Sequence, residues 1–204
     1  MATDPWRQAR RELGARHPQL RRLVDVVHPL EPLDVTRRSL DELAMSTVVS
    51  QLVSSAAAAT IKRNLLAAHG GVDQVFDWAL TTPDDAPPQF GLSRSKRKAI
   101  AAWAAHSRSQ GDLRHRWAGL GADELLAEVT AIRGFGRWSA EMVAIFGFGH
   151  PDIWPEGDAG VQRVIRRLLP RMKPPGRRRL VAGHSTYAAL CCWAVIDRGL
   201  EAEL

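Results

Sequence analysis

Little in this chain of 204 residues can serve redox or metal chemistry. Its two cysteines, Cys191 and Cys192, are adjacent inside the apolar run Ala188-Ala-Leu-Cys-Cys-Trp-Ala-Val-Ile196. Neighbouring cysteines cannot build a disulfide framework, and an iron–sulfur cluster takes about four of them, so buried structural thiols are expected. The seven histidines include no pair three or four residues apart, which removes the helical zinc motifs. Neither a metal nor a cofactor is expected. No apolar run approaches the roughly 20 residues of a membrane span, and the N-terminal stretch MATDPWRQARRELGARH lacks the apolar centre of an export signal. The expectation is a soluble, intracellular protein with no membrane partner. Acidic residues are missing from one whole segment. None lies between Asp158 and Asp197, where Arg163, Arg166, Arg167, Arg171, Lys173, Arg177, Arg178 and Arg179 are found.

What is present reads as globular. Hydrophobic residues make up 45% and charged residues 25%, enough to bury a core, and the length suits one domain or two small lobes. The net charge of +6 is unevenly placed. Residues 1–90 carry 10 basic and 11 acidic groups, whereas residues 91–204 carry 18 and 11. A basic half of this kind is either a solvated face or a surface for phosphates.

Helical periodicity dominates. From Leu40 onward Leu40, Leu43, Val48, Leu52, Ala56, Ile61 and Leu65 recur at three-to-four spacing until Gly70-Gly71 ends the pattern. Pro83, Pro87 and Pro88 mark a connector, and helices follow over about 93–108, 122–132, 137–149, 159–169 and 186–198. Period-two alternation is nowhere sustained, so the chain reads as all-α with about eight to ten helices. Residues 1–30 read as an amphipathic helical segment packed on the rest, and 31–204 as the principal domain, with a helical hairpin at about 122–149.

Val129-Thr-Ala-Ile-Arg-Gly-Phe-Gly-Arg-Trp-Ser-Ala140 joins two of these helices. A Gly-apolar-Gly turn leaves the unpaired N–H groups of the second helix unobstructed, which suits a phosphate, while Phe135 can pin the turn to the core. The bland alternative is an ordinary glycine-terminated turn. This segment resembles the hairpin of the helix-hairpin-helix DNA glycosylase superfamily, approximately L-x-x-[IFL]-x-G-[IVF]-G-x-x-[ST]-A. Similar stretches flank it in order. Val48-Val-Ser-Gln-Leu-Val-Ser-Ser-Ala-Ala does not stand alone: Gly91-Leu-Ser-Arg-Ser-Lys-Arg-Lys-Ala-Ile100, Pro151-Asp-Ile-Trp-Pro-Glu-Gly-Asp158 and Tyr187-Ala-Ala-Leu-Cys-Cys-Trp193 also match. Together they span about residues 40–198.

The resemblance implies two helical lobes with an active-site cleft between them. Bifunctional members carry lysine where this chain has Trp138, so the likeness points to the monofunctional alkylpurine branch, the 3-methyladenine DNA glycosylase II type in its compact form. Its implied activity is excision of alkylated purines from duplex DNA in base excision repair, in the bacterial cytoplasm, without lyase activity; on oligomeric state the sequence is silent, and a monomer is the default expectation. Other expectations are a glycosylase for deaminated or oxidised bases, or a non-catalytic DNA-binding protein.

The resemblance also assigns residues. Asp158 becomes the catalytic carboxylate, although Asp is equally a preferred helix N-cap. Trp138, Trp193, Met142 and Phe146 become walls of a pocket for a flipped base, where indole rings suit a cationic purine; a stripe at this spacing is otherwise core. Leu52 matches the side chain wedged into the duplex, or is a buried helical leucine. Gln51, Gly134, Phe135, Gly136, Arg137, Lys96 and Arg163 complete the expected DNA-binding set, with Arg133 and Arg97 as further candidates for phosphate; for Gln51 a structural hydrogen bond is the favoured reading, and for Arg137, Arg133, Lys96 and Arg97 the alternative is plain surface solvation. The chain departs from the branch before its last helix. Where W-x-P-x-R-S is usual, it has Val181-Ala-Gly-His-Ser-Thr186.

Overall fold

The computed structural model describes residues 6–204, which form twelve α-helices and a short terminal 3-10 helix; no strand longer than an isolated bridge occurs among them. The all-α expectation holds. The chain divides into two compact units, one from residues 35–148 and one that combines the N-terminal residues up to Asp34 with Gly149–Leu204.

In the contiguous unit, α3 (Leu40–Ser50) starts at an N-cap, Ser39, whose hydroxyl accepts from the Glu42 N–H at 3.0 Å, with Asp41 and Glu42 in its first turn. Helix α4 (Ser55–His69) is capped the same way by Ser54 and stops at Gly70, φ +92°. Next come α5 (Val72–Thr81), α6 (Arg94–Gln110), the single turn α7 (Leu113–Trp117), α8 (Ala122–Thr130) and α9 (Arg137–Phe148). Helix α3 packs against α6 and α9, and α8 against α9. Trp103 anchors the interior. Its ring lies 5.1 Å from Phe135 and its indole N–H donates to Asp41 Oδ1 at 2.7 Å.

One expected element is corrected. The apolar pattern from Leu40 to Leu65 is not one helix: it breaks after Ser50, and Gln51–Ser54 form a turn. Leu52 adopts φ +56° there, and its side chain is 103% exposed.

In the other unit, α1 (Arg7–Arg16) and α2 (Pro18–Val26) pack together, and α2 meets α12 (Ser185–Asp197). Helix α10 (Ala159–Leu168) places Val161, Val164, Ile165 and Leu168 on one face, and these join Leu13, Leu20, Leu23, Tyr187 and both cysteines in one apolar cluster. Burial pushes the Cys191 thiol up to about 12 and that of Cys192 well above its ordinary value, so both are inert packing groups. Helix α11 (Pro174–Val181), whose proline start the sequence reading passed over, leads through Gly183 (φ +82°) into α12.

Candidate active site

The hairpin is built by the two glycines in different ways. Gly134 sits at φ +89°, and a Cβ there would fall 2.3 Å from the Ala99 Cβ, so both its conformation and its neighbour demand glycine. Nothing lies within 4 Å of a Cβ placed on Gly136. Gly136 directly precedes α9, whose first-turn N–H groups lie outside the helical ladder. Phe135 is 3% exposed against Trp103, so its side chain holds the turn and cannot touch a partner; only its backbone is available. Arg137, largely exposed, pairs through Nε with the buried Glu141 at 2.9 Å.

Of the other basic candidates, three are committed elsewhere. Lys96 donates from Nζ to the Val49 carbonyl at 2.8 Å, capping the C-terminal end of α3, and burial pulls its pKa below the ordinary lysine value. Arg97 is buried and spans the Thr82 and Pro83 carbonyls at 2.8 and 2.7 Å, stapling the proline-rich connector. Arg163 pairs with Glu201, Nε to Oε1 at 2.9 Å. Arg177, in the acid-free segment, is likewise buried and donates to the Leu169 carbonyl. Arg171, Lys173 and Arg179 rim a groove of about 950 Å³ with an apolar floor of Leu168, Leu169, Met172 and Leu180. The basic run is thus divided between internal ties and an exposed rim. Arg133 is exposed.

Leu52 is the unusual residue of this unit. Exposing a leucine side chain forgoes about 1.5–3 kcal/mol of burial, and a non-glycine residue at positive φ costs about 1–2 kcal/mol more. Such a conformation persists only where its surroundings over-determine it. Gln51, just before it, donates through Nε2 to the Gly134 carbonyl at 3.0 Å and to Ser139 Oγ at 2.9 Å. Further along α9, Met142 is 6% exposed and mainly core, whereas Trp138 and Phe146 are half-buried.

Asp158, 9% exposed, belongs to the other unit. It is the N-cap of α10: Oδ1 accepts from the Val161 N–H at 2.8 Å and also from Trp193 Nε1 at 3.0 Å. Trp193 therefore touches the carboxylate directly, beyond the wall role expected for it. Gly160, which the sequence reading missed, keeps the space clear: a Cβ there would lie 3.2 Å from Asp158 Oδ1 and 3.6 Å from Trp193 Cδ1. The signal available was an Asp-Ala-Gly helix start. The departure before α12 turns out to keep a structural pair. Thr186 Oγ1 accepts from the Ile153 N–H at 3.0 Å and donates to the His150 carbonyl at 2.6 Å, while Asp152 Oδ1 accepts from both the N–H and the hydroxyl of Ser185. These bonds tie down the start of the segment that leads to Asp158.

Among the described residues, no three His, Cys, Asp or Glu side chains are grouped to hold a metal ion, and no single helix is long and apolar enough to cross a membrane. The structure thus brings Gln51, Leu52 and the hairpin together in one unit, and Asp158 with Trp193 in the other.

No family model matches the chain. A Mycobacterium tuberculosis protein named a probable bifunctional transcriptional activator/DNA repair enzyme AlkA is 26% identical over 177 residues, covering 78% of this chain and 34% of that protein. The DNA-3-methyladenine glycosylase of Saccharomyces cerevisiae is 28% identical over 134 residues, covering 61% and 45%. The chain thus spans about a third to a half of the length of these relatives. Among solved structures, the Schizosaccharomyces pombe 3-methyladenine DNA glycosylase in complex with abasic DNA superposes with a TM-score of 0.78 at 22% identity, over 93% of this chain and 97% of that one. The fold is shared almost end to end.

Proposed function

We propose that the chain is a member of the helix-hairpin-helix 3-methyladenine DNA glycosylase family, on its sequence likeness and shared fold, and that it hydrolyses the N-glycosidic bond of alkylated purines in duplex DNA without strand cleavage. The observation that carries this reading is a carboxylate, Asp158, held at one oxygen by a backbone N–H and an indole N–H.

The chemistry asks little more of the protein. Methylation at N3 or N7 makes the purine cationic, so the bond to C1′ is already weak. As it breaks, the purine leaves with the electron pair as a neutral base and the sugar gains oxocarbenium character. Asp158 stabilises that charge and orients a water whose oxygen bonds to C1′, the displaced proton passing to the carboxylate or to solvent. A lysine nucleophile is absent from the position of Trp138, so no Schiff base forms and the strand stays intact. The hairpin offers backbone N–H groups, with Arg137 and Arg133 beside them, to phosphate; Leu52 fills the duplex where the damaged nucleotide is flipped out. Trp193, beside Asp158, offers aromatic surface for a cationic base.

Release of free 3-methyladenine and 7-methylguanine from methylated duplex DNA tests this reading. Wild-type protein is expected to release both and leave the strand uncut, and Asp158→Asn, still a good N-cap, to lose release by orders of magnitude while retaining DNA affinity. DNA binding without release by the wild type would make this a non-catalytic binder. A panel of single-lesion duplexes separates alkylated from deaminated or oxidised substrates.

A further inference from the structure

Gln51 stands in the expected DNA-binding set, yet its side chain is bonded within the protein. Its side-chain N–H groups reach across 83 residues of sequence to the Gly134 carbonyl and 88 to the Ser139 hydroxyl. Gly134 is the first glycine of the hairpin, and Ser139 lies in the first turn of α9, 2% exposed. Behind Gln51, the α3 end is held by the Lys96 ammonium on Val49, and ahead of Leu52 the Ser54 hydroxyl caps α4. The turn is therefore fixed on three sides, and its remaining element, Leu52, is turned outward at positive φ.

Resting on the glycosylase reading above, we infer that Gln51 is a positioning residue that locks the Leu52 turn to the hairpin, so that phosphate grip and duplex wedge act as one rigid plate. Phosphate contacts register the plate on the duplex, and the tether converts that register into a fixed height and angle for Leu52. A loose turn would let Leu52 fold back onto protein or swing across the base pair, and the work of opening a paired lesion would be lost. Where the lesion is already unpaired, less depends on the wedge.

Two measurements test this. The first uses the free protein and needs no activity: backbone ¹⁵N order parameters at Leu52 and Val53 are expected near the rigid value of about 0.85 in the wild type and below about 0.6 in Gln51→Leu, which keeps the bulk and removes both donors. The second is the ratio of single-turnover excision rates for one lesion placed opposite its pairing partner and opposite an abasic site. Gln51→Leu should lower that ratio about tenfold, the size of one to two hydrogen bonds, and Ser139→Ala, which removes one acceptor, about threefold. A general loss of fold lowers both rates together and leaves the ratio alone. Because Ser139 is buried, it does not itself reach DNA; a ratio that falls in Gln51→Leu but not in Ser139→Ala means Gln51 touches DNA itself and overturns the tether. Order parameters unchanged in Gln51→Leu also overturn it, whatever the enzyme does. Failure of the wild type to release any base counts against the glycosylase reading alone, since the order parameters still decide the tether.

Discussion

Replacing Leu52 by glycine should separate stability from activity in opposite directions. The leucine side chain is 103% exposed, so its removal takes no apolar area out of the folded interior. Its φ of +56° is one that glycine adopts freely, which returns about 1–2 kcal/mol; against this, glycine costs about 0.5–1 kcal/mol in backbone entropy. The net change runs from about zero to about 1.5 kcal/mol of stabilisation, a rise of up to about 6 °C in Tm for a chain of this size. On DNA the balance is different. A leucine buried in the duplex gap is worth about 1.5–3 kcal/mol, so its loss should slow excision of a fully paired lesion by about 10- to 150-fold. Leu52→Ala separates the two effects, because alanine keeps the positive φ while losing most of the apolar area. The assays are thermal melting of the free protein and single-turnover release of 7-methylguanine from duplex DNA. A Tm lowered by more than about 6 °C, or an excision rate within twofold of wild type, would refute the wedge.

Trp193→Phe keeps the ring and removes the donor to Asp158; a charge-assisted hydrogen bond is worth about 1.5–3 kcal/mol, so single-turnover release should fall at least about tenfold, and an unchanged rate would leave Trp193 a wall only. The two hairpin glycines should diverge. Gly134→Ala meets both positive φ and Ala99 and should cost about 3 kcal/mol or more on chemical denaturation, whereas Gly136→Ala should fold normally yet bind duplex DNA more weakly in a fluorescence titration. For Asp152, burial pushes the carboxyl up, but hydrogen bonds from the Ser185 hydroxyl and the Gly183 and Ser185 N–H groups hold it below its ordinary 3.8. A lowered folded value contributes stability above the unfolded pKa and loses it as pH falls through the folded one. Tm should therefore fall on acidification below about pH 4, with a shallower fall in Asp152→Asn.

The sequence disclosed most where chemistry and local structure coincide. Asp158 was legible because a helix start, a carboxylate and a motif converge on it, and the hairpin because Gly134 is demanded by its own φ. The Leu52 turn was hidden. Residues 51–54 contain neither glycine nor proline, and the apolar spacing runs through them unbroken. What breaks the helix is tertiary: Gln51 reaching Gly134 and Lys96 reaching Val49 are bonds between residues distant in the chain, invisible to any local pattern. The same holds for Lys96 and Arg97. Their charge suggests solvent, but the helix they begin packs against α3 and α5, and backbone carbonyls claim both. Trp193 was legible as an aromatic near the site, but not as a donor, because its partner comes from another helix.

The unit that holds Asp158 is drawn from both ends of the chain, with residues 35–148 intervening. This gives the two halves different births. Helices α1 and α2 are synthesised well before Val161, Ile165, Tyr187 and Val195, which share their apolar cluster. At about 5–20 residues per second they wait on the order of ten seconds with that face uncovered. Every residue of the hairpin and of the Gln51 tether, by contrast, is added before Asp158. A growing chain of this protein holds the Leu52 turn and the hairpin before it holds the carboxylate that caps α10.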